Sequence, residues 1–163
     1  PIILYNVPGR TGVNMLPETI ARLSEIKNII GIKEATGNLQ QASDTIELCR
    51  KGFIILSGDD FTTLPILAIG GRGVISVTSN IAPKEVSQMC DAFFNRNYDK
   101  AKKLHYKLQP LHRAMFLETN PIPVKTALAM MGKIEEEFRL PLVKIGETNR
   151  KKLGKVITDF GII

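Results

Sequence analysis

Four short apolar runs, Pro1–Asn6, Ile29–Glu34, Phe53–Ser57 and Gly73–Val77, recur through the first half of the sequence, and each gives way to a turn. Each run is rich in Ile, Val and Leu and bounded by Gly, Pro, Asn or Asp, which is the pattern of a buried strand. Between them lie stretches of helical period. Leu16–Ser24 is short and amphipathic, Leu39–Arg50 places Leu39, Ala42, Ile46 and Cys49 on one stripe, and Thr62–Ile69 completes the set. Val7–Asn14, with Pro8, Gly9 and Gly12, reads as a loop, and Gly70-Gly71-Arg72-Gly73 as a turn. Strand, helix and strand in alternation leave room only for parallel pairing through right-handed crossovers. The expected class is therefore α/β, with four parallel strand–helix units.

After the fourth run the strands stop. Ser79 or Asn80 is placed to cap a helix that carries Pro83 in its first turn and runs to Phe94. Tyr98–Phe116, Val124–Met131 and Glu147–Phe160 are helical by period, separated by Asn120-Pro121-Ile122-Pro123 and Arg139-Leu140-Pro141. Two domains are expected, residues 1–96 with the strands and 97–163 as a helical appendage. With 163 residues, 44% hydrophobic and 23% charged, the chain can bury a sizeable core. Its net charge of +6 does not mark a nucleic-acid surface. The basic residues of Arg96–Lys107 and Lys144–Lys155 are interleaved with acids and lack stacking aromatics, so they read as solvated helix faces. No apolar run approaches the roughly 20 residues of a membrane span. Cys49 and Cys90 have neither CxxC nor metal-ligand spacing, which fits reduced thiols in a cytoplasmic compartment. The chain opens inside a strand-like run without an initiator Met, so it reads as a piece of something longer.

Polar residues gather where the runs end: Tyr5 and Asn6, Lys33 and Glu34, Ser57 to Asp60, and Ser76 with Thr78. Carboxyl ends of parallel strands are where barrels and open sheets alike build their sites. Lys33 stands out, because an ammonium beside Ile29-Ile30-Gly31-Ile32 must be paired or neutralised. It is either a structural lysine paired to Glu34 or another acid, or an amine able to attack a carbonyl. Imine chemistry needs a proton shuttle and a carboxylate clamp, and Tyr5 and Arg10 fit those roles. Tyr5, one strand before Lys33, would share its face; as an alternative it is a core-edge tyrosine bonded to backbone, and Arg10 an exposed loop arginine. Of the pair Asp59-Asp60, a helix cap near Phe61 is favoured over a metal site or a carboxylate dyad. Gly70-Gly71-Arg72-Gly73 precedes a strand and is turn chemistry instead of a phosphate loop. His105 and His112 share a helix face without an acid or cysteine partner at ligand spacing and read as structural or surface residues.

The segments Tyr5-Asn6-Val7-Pro8-Gly9-Arg10-Thr11-Gly12, Gly31-Ile32-Lys33-Glu34-Ala35-Thr36-Gly37, Leu56-Ser57-Gly58-Asp59-Asp60 and Gly73 to Asn80 closely resemble the dihydrodipicolinate synthase family. Asn120-Pro121-Ile122-Pro123-Val124-Lys125 and Leu140-Pro141 match its helical tail, so the resemblance spans the chain. It implies the second half of a (β/α)8 TIM barrel, strands 5–8 of the parent, followed by a C-terminal helical domain. It further implies condensation of pyruvate with L-aspartate 4-semialdehyde in lysine and diaminopimelate biosynthesis, by a homotetramer. By the same resemblance Lys33 forms the imine with pyruvate and Tyr5 relays protons. Arg10 binds the carboxylate of the second substrate, and Gly58 and the backbone of Ile75 line the pocket. No metal and no organic cofactor is implied, because the lysine serves as electron sink.

Two alternatives stand beside that reading. The N-acetylneuraminate lyases share the lysine and tyrosine, but resemble a Tyr-Asn-Ile-Pro pattern with an apolar residue where this chain has Arg10. A half barrel without the family's first four strands would also expose two sheet edges, which suits a non-catalytic half that requires a partner.

Overall fold

The computed structural model describes residues 1–163. By main-chain contacts the chain divides into two compact units, Pro1–Ser76 and Val77–Ile163.

The first unit is built on a four-stranded parallel sheet in the order β1-β2-β3-β4, with β1 Ile2–Asn6, β2 Ile29–Glu34, β3 Ile54–Ser57 and β4 Gly73–Val74. Sequential order is what right-handed crossovers through intervening helices produce. In β2, Ile29, Ile32 and Glu34 are buried, and Ile20, Ala42, Phe53, Ile55 and Ile66 close around Ile32. Burying one such isoleucine completely is worth about 1.5–3 kcal/mol. Gly31 lets β3 approach: a Cβ there would lie 2.5 Å from the Ile54 carbonyl oxygen. β4 is shorter than the expected Gly73–Val77. Ile75 still donates its N–H to the Ser57 carbonyl at 2.8 Å, after which the chain turns into a 3-10 turn at Thr78–Asn80.

Between β1 and β2 lie α1, Pro8–Thr11, and α2, Pro17–Ser24. The helical turn α1 occupies what reads from sequence as a loop. Pro8 presets the first helical residue, while Gly12 ends the turn in the left-handed region at φ 70°. α3, Leu39–Leu48, begins where the Asn38 side chain accepts the Gln41 N–H at 3.1 Å. Its buried positions are Gln41, Ala42 and Thr45, while Leu39, expected on the apolar stripe, is exposed. A 3-10 turn, Asp60–Thr62, leads into α4, Thr63–Ala68.

The second unit contains α5 Pro83–Phe94, α6 Tyr98–Ala114, α7 Ile122–Met130 and α8 Glu147–Phe160. α5 packs on α6, and α8 packs on both α6 and α7. Leu108, Leu111, Met115, Leu153 and Ile157 are fully buried there. Neither Ser79 nor Asn80 caps α5. Both belong to the 3-10 turn, and the N-cap is Ala82 with no side-chain bond, Pro83 supplying the preset first turn. No helix is long and apolar enough to cross a membrane.

Candidate active site

Parallel register sorts the strand ends into two rows. Tyr5 pairs with Lys33 and Lys33 with Leu56, while one residue later Asn6 pairs with Glu34 and Glu34 with Ser57. Because side chains alternate along a strand, the rows face opposite sides of the sheet. The second row is buried: Asn6 is 1% exposed, Glu34 2% and Ser57 0%. Each of its members turns back to hold the loop that follows its strand. Asn6 donates to Asn14 Oδ1 at 2.9 Å and accepts the Met15 N–H at 3.1 Å. Glu34 accepts the Thr36 N–H at 2.7 Å, and Ser57 Oγ donates to the Asp59 carbonyl at 2.7 Å.

The first row lies on the opposite side of the sheet. Lys33 Nζ lies 4.0 Å from the centroid of the Tyr5 ring, so amine and phenol share a face as their strand positions require. A cation over an aromatic face is worth about 0.5–2 kcal/mol, depending on how far water is excluded. Lys33 is not paired with Glu34, whose carboxylate lies on the other side of the sheet and is engaged by Thr36. Gly58 abuts the lysine stem. A Cβ on it would stand 2.9 Å from Lys33 Cγ, 3.0 Å from Lys33 Cε and 2.7 Å from Ala35 Cβ, so a side chain at 58 must displace the lysine.

Tyr5, Lys33 and Gly58 therefore meet. Arg10 is exposed in the last turn of α1. Ile75 is tied to β3 through its N–H on Ser57, which leaves that N–H occupied. Asp59 is the cap expected near Phe61, accepting the Phe61 N–H at 3.1 Å. Burial pushes its carboxyl above the ordinary aspartate range, against the opposing pull of the Phe61 N–H, with a further upward push from Asp60.

Sequence reasoning missed the amide network behind the site. Gln41 Nε2 donates to Asn14 Oδ1 at 3.0 Å and to the Met15 carbonyl at 3.1 Å, and Asn14 Nδ2 donates to Gln41 Oε1 at 2.9 Å. The available signal was Gln41 itself, a polar residue flanking Ala42 on a helix that must bury one face. In the second unit His112 is buried with Nδ1 2.8 Å from Thr78 Oγ1. A concavity of about 590 Å³ there is lined by Lys133, Glu136 and Arg150, and Arg150 bonds Glu136. The two thiols are free and lie in different units, and burial raises the pKa of both.

A family model for the dihydrodipicolinate synthetase family matches residues 1–160. The chain belongs to that family. It is 60% identical over 163 residues to the 4-hydroxy-tetrahydrodipicolinate synthase of Thermodesulfovibrio yellowstonii, covering all of this chain and 56% of the relative. The synthase of the same name from Syntrophus aciditrophicus is 58% identical with the same coverage. Among solved structures, dihydrodipicolinate synthase from Thermotoga maritima superposes with a TM-score of 0.97 at 49% identity, over 99% of this chain and 56% of that one. The Aquifex aeolicus enzyme gives 0.97 at 42% identity, again over 99% and 56%. The chain thus spans about half the length of the family members it matches.

Proposed function

We propose that this chain is the C-terminal part of a 4-hydroxy-tetrahydrodipicolinate synthase, a lyase that joins pyruvate to L-aspartate 4-semialdehyde through an imine on Lys33. The observation that carries the reading is the Lys33 amine held 4.0 Å over the Tyr5 ring at the carboxyl ends of β1 and β2. In the proposed sequence the amine adds to the keto carbon of pyruvate, and loss of water leaves the protonated imine. A methyl proton then departs to give a neutral enamine, whose carbon attacks the aldehyde. Tyr5 relays protons, Arg10 binds the carboxylate of the aldehyde substrate, and Gly58 and Ile75 line the pocket. The lysine is the electron sink, so these steps call on no organic cofactor.

In this reading residues 1–96 supply strands 5–8 of the parent barrel and 97–163 its helical appendage, within a cytoplasmic homotetramer. The helices that follow β4 without a further strand support the placement. Ile2 and Ile3 on β1, 47% and 42% exposed, support pairing of this edge with further strands.

The test is borohydride trapping with pyruvate in the intact parent, with mass analysis of the peptide containing Lys33. An adduct there, lost in Lys33→Ala, is expected; no adduct, or activity surviving in Lys33→Ala, removes the imine mechanism. Arg10 separates this reading from a sugar-acid lyase. Arg10→Leu should impair use of the aldehyde far more than imine formation with pyruvate, and equal loss of both steps would reject the assigned role.

A further inference from the structure

We infer that Glu34 is the positioning residue of the Lys33 amine, acting through the turn that follows β2; its bearing on catalysis rests on the reading of Lys33 proposed above. Glu34 is 2% exposed. Its Oε1 accepts the Thr36 N–H at 2.7 Å, and its Oε2 is buried without a partner in the chain. An unsatisfied buried acceptor is destabilising, a cost that an apolar residue of similar volume would avoid. The contribution of the carboxylate therefore lies in the bond that Oε1 makes.

That bond fixes Thr36 and with it Ala35, whose own N–H is held by the Asn6 carbonyl at 3.0 Å. Ala35 is the wall against which Gly58 sits: a Cβ on Gly58 would come within 2.7 Å of Ala35 Cβ and 2.9 Å of Lys33 Cγ. The Glu34 carbonyl accepts the Gly58 N–H at 2.6 Å and holds that glycine beside the lysine stem. Lys33 is thus bounded by the Tyr5 ring at its amine and by Gly58, backed by Ala35, along its stem. Asn6 and Glu34 are the last paired residues of β1 and β2 and the Ala35 N–H adds one more bond to β1, so Thr36 is the first residue beyond these main-chain bonds. The Glu34 side chain is the tether that holds Thr36.

The test compares Glu34→Gln, Glu34→Leu and Ala35→Gly in the intact protein, with two readouts. The first is the resonance of the isotope-labelled Lys33 ε-methylene, assigned with Lys33→Arg, which the Tyr5 ring current shifts from the position of a solvent lysine. The second is the limiting rate of pyruvate trapping per folded site. Glu34→Gln keeps an acceptor for Thr36 and should hold both near wild type. Glu34→Leu should move the resonance to the solvent position. It should also lower the limiting rate by about tenfold or more, with a smaller change in half-saturating pyruvate, since an ångström of misplacement can cost about 10²-fold. A purely structural role would lower the folded fraction and leave the rate per folded site alone. The inference is overturned if the Glu34→Leu resonance stays in place, or if Glu34→Gln falls as far as Glu34→Leu. Should Glu34→Leu not fold, Ala35→Gly, which spares the acid, must displace the same resonance, and no displacement overturns the inference. A wild type without an adduct at Lys33 defeats the catalytic reading, while the resonance still decides whether Glu34 places the amine.

Discussion

In the first unit the buried polar side chains Asn6, Glu34 and Ser57 stand at the ends of β1, β2 and β3, each bonded to the loop that follows. The second unit buries Leu108, Leu111, Met115, Leu153 and Ile157 along helix faces, with Thr78, His112 and Thr126 as its buried polar residues. Both units bury an apolar core, but the first also sets a row of buried polar side chains at its strand ends. Apolar contact between helices is non-directional and tolerates small shifts, whereas a hydrogen bond from a strand end sets the loop beyond it to within a few tenths of an ångström. The unit that presents Lys33 is the one that sets such bonds at its strand ends.

The strongest expected effect tests the apolar side of this contrast. Leu111→Ala should lose about 2–5 kcal/mol in denaturant unfolding, because the removed volume leaves a cavity within packed helices. A loss below about 1 kcal/mol would mean that the helices close over the gap and that their packing is looser than the burial of Leu111 implies. Gly58→Val comes next and tests the directional side. Its branched Cβ has no space beside Lys33 Cγ and Ala35 Cβ, so pyruvate trapping should fall by about 10²-fold. Trapping at the wild-type rate would show that the lysine stem needs no such wall.

The third variant sets the two kinds of burial against each other at one position. Asn6→Leu adds apolar surface to a buried site, which would stabilise a helix face. Here it should destabilise by about 1–3 kcal/mol, since the Met15 N–H loses its acceptor and the Asn14 and Met15 oxygens keep only Gln41. Unchanged stability would erase the distinction between the units.

Legibility in the sequence follows the same division. The strands and longer helices were readable because period records burial, and β2 at Ile29–Glu34 is found with the expected bounds. The shared face of Tyr5 and Lys33 was readable from strand order alone, because parallel neighbours align their ends. What escaped depends on contacts across long separations. Gln41 bonds Asn14 across 27 residues of sequence, and its place beside Ala42 on the buried face of a helix marks its burial without naming its partners. β4 is shorter than its sequence implies for a related reason. Val-Ile-Ser-Val is good strand sequence, but the strand ends at Val74 and a 3-10 turn follows at Thr78–Asn80. The same turn uses Ser79 and Asn80, the residues that looked like caps for α5.

The smallest effect concerns Asp59, where burial and capping act on one carboxylate. Burial raises its pKa above the ordinary value, so the folded chain holds the proton more tightly than the unfolded chain does. The stability linked to this group is fully present below the ordinary aspartate range and is lost as pH rises through the raised folded value. Asn is as good an N-cap as Asp, keeps an oxygen for the Phe61 N–H and carries no charge to desolvate. Asp59→Asn should therefore match wild type in acid and exceed it in thermal midpoint above that window, by an amount smaller than any of the preceding changes. Melting curves from about pH 3 to pH 7 would check this, since the window opens near the unperturbed aspartate value. A variant that is less stable than wild type at neutral pH would mean that the negative charge at the start of the 3-10 turn outweighs its desolvation. The strand-end loops would then be held by charge as well as by hydrogen-bond direction.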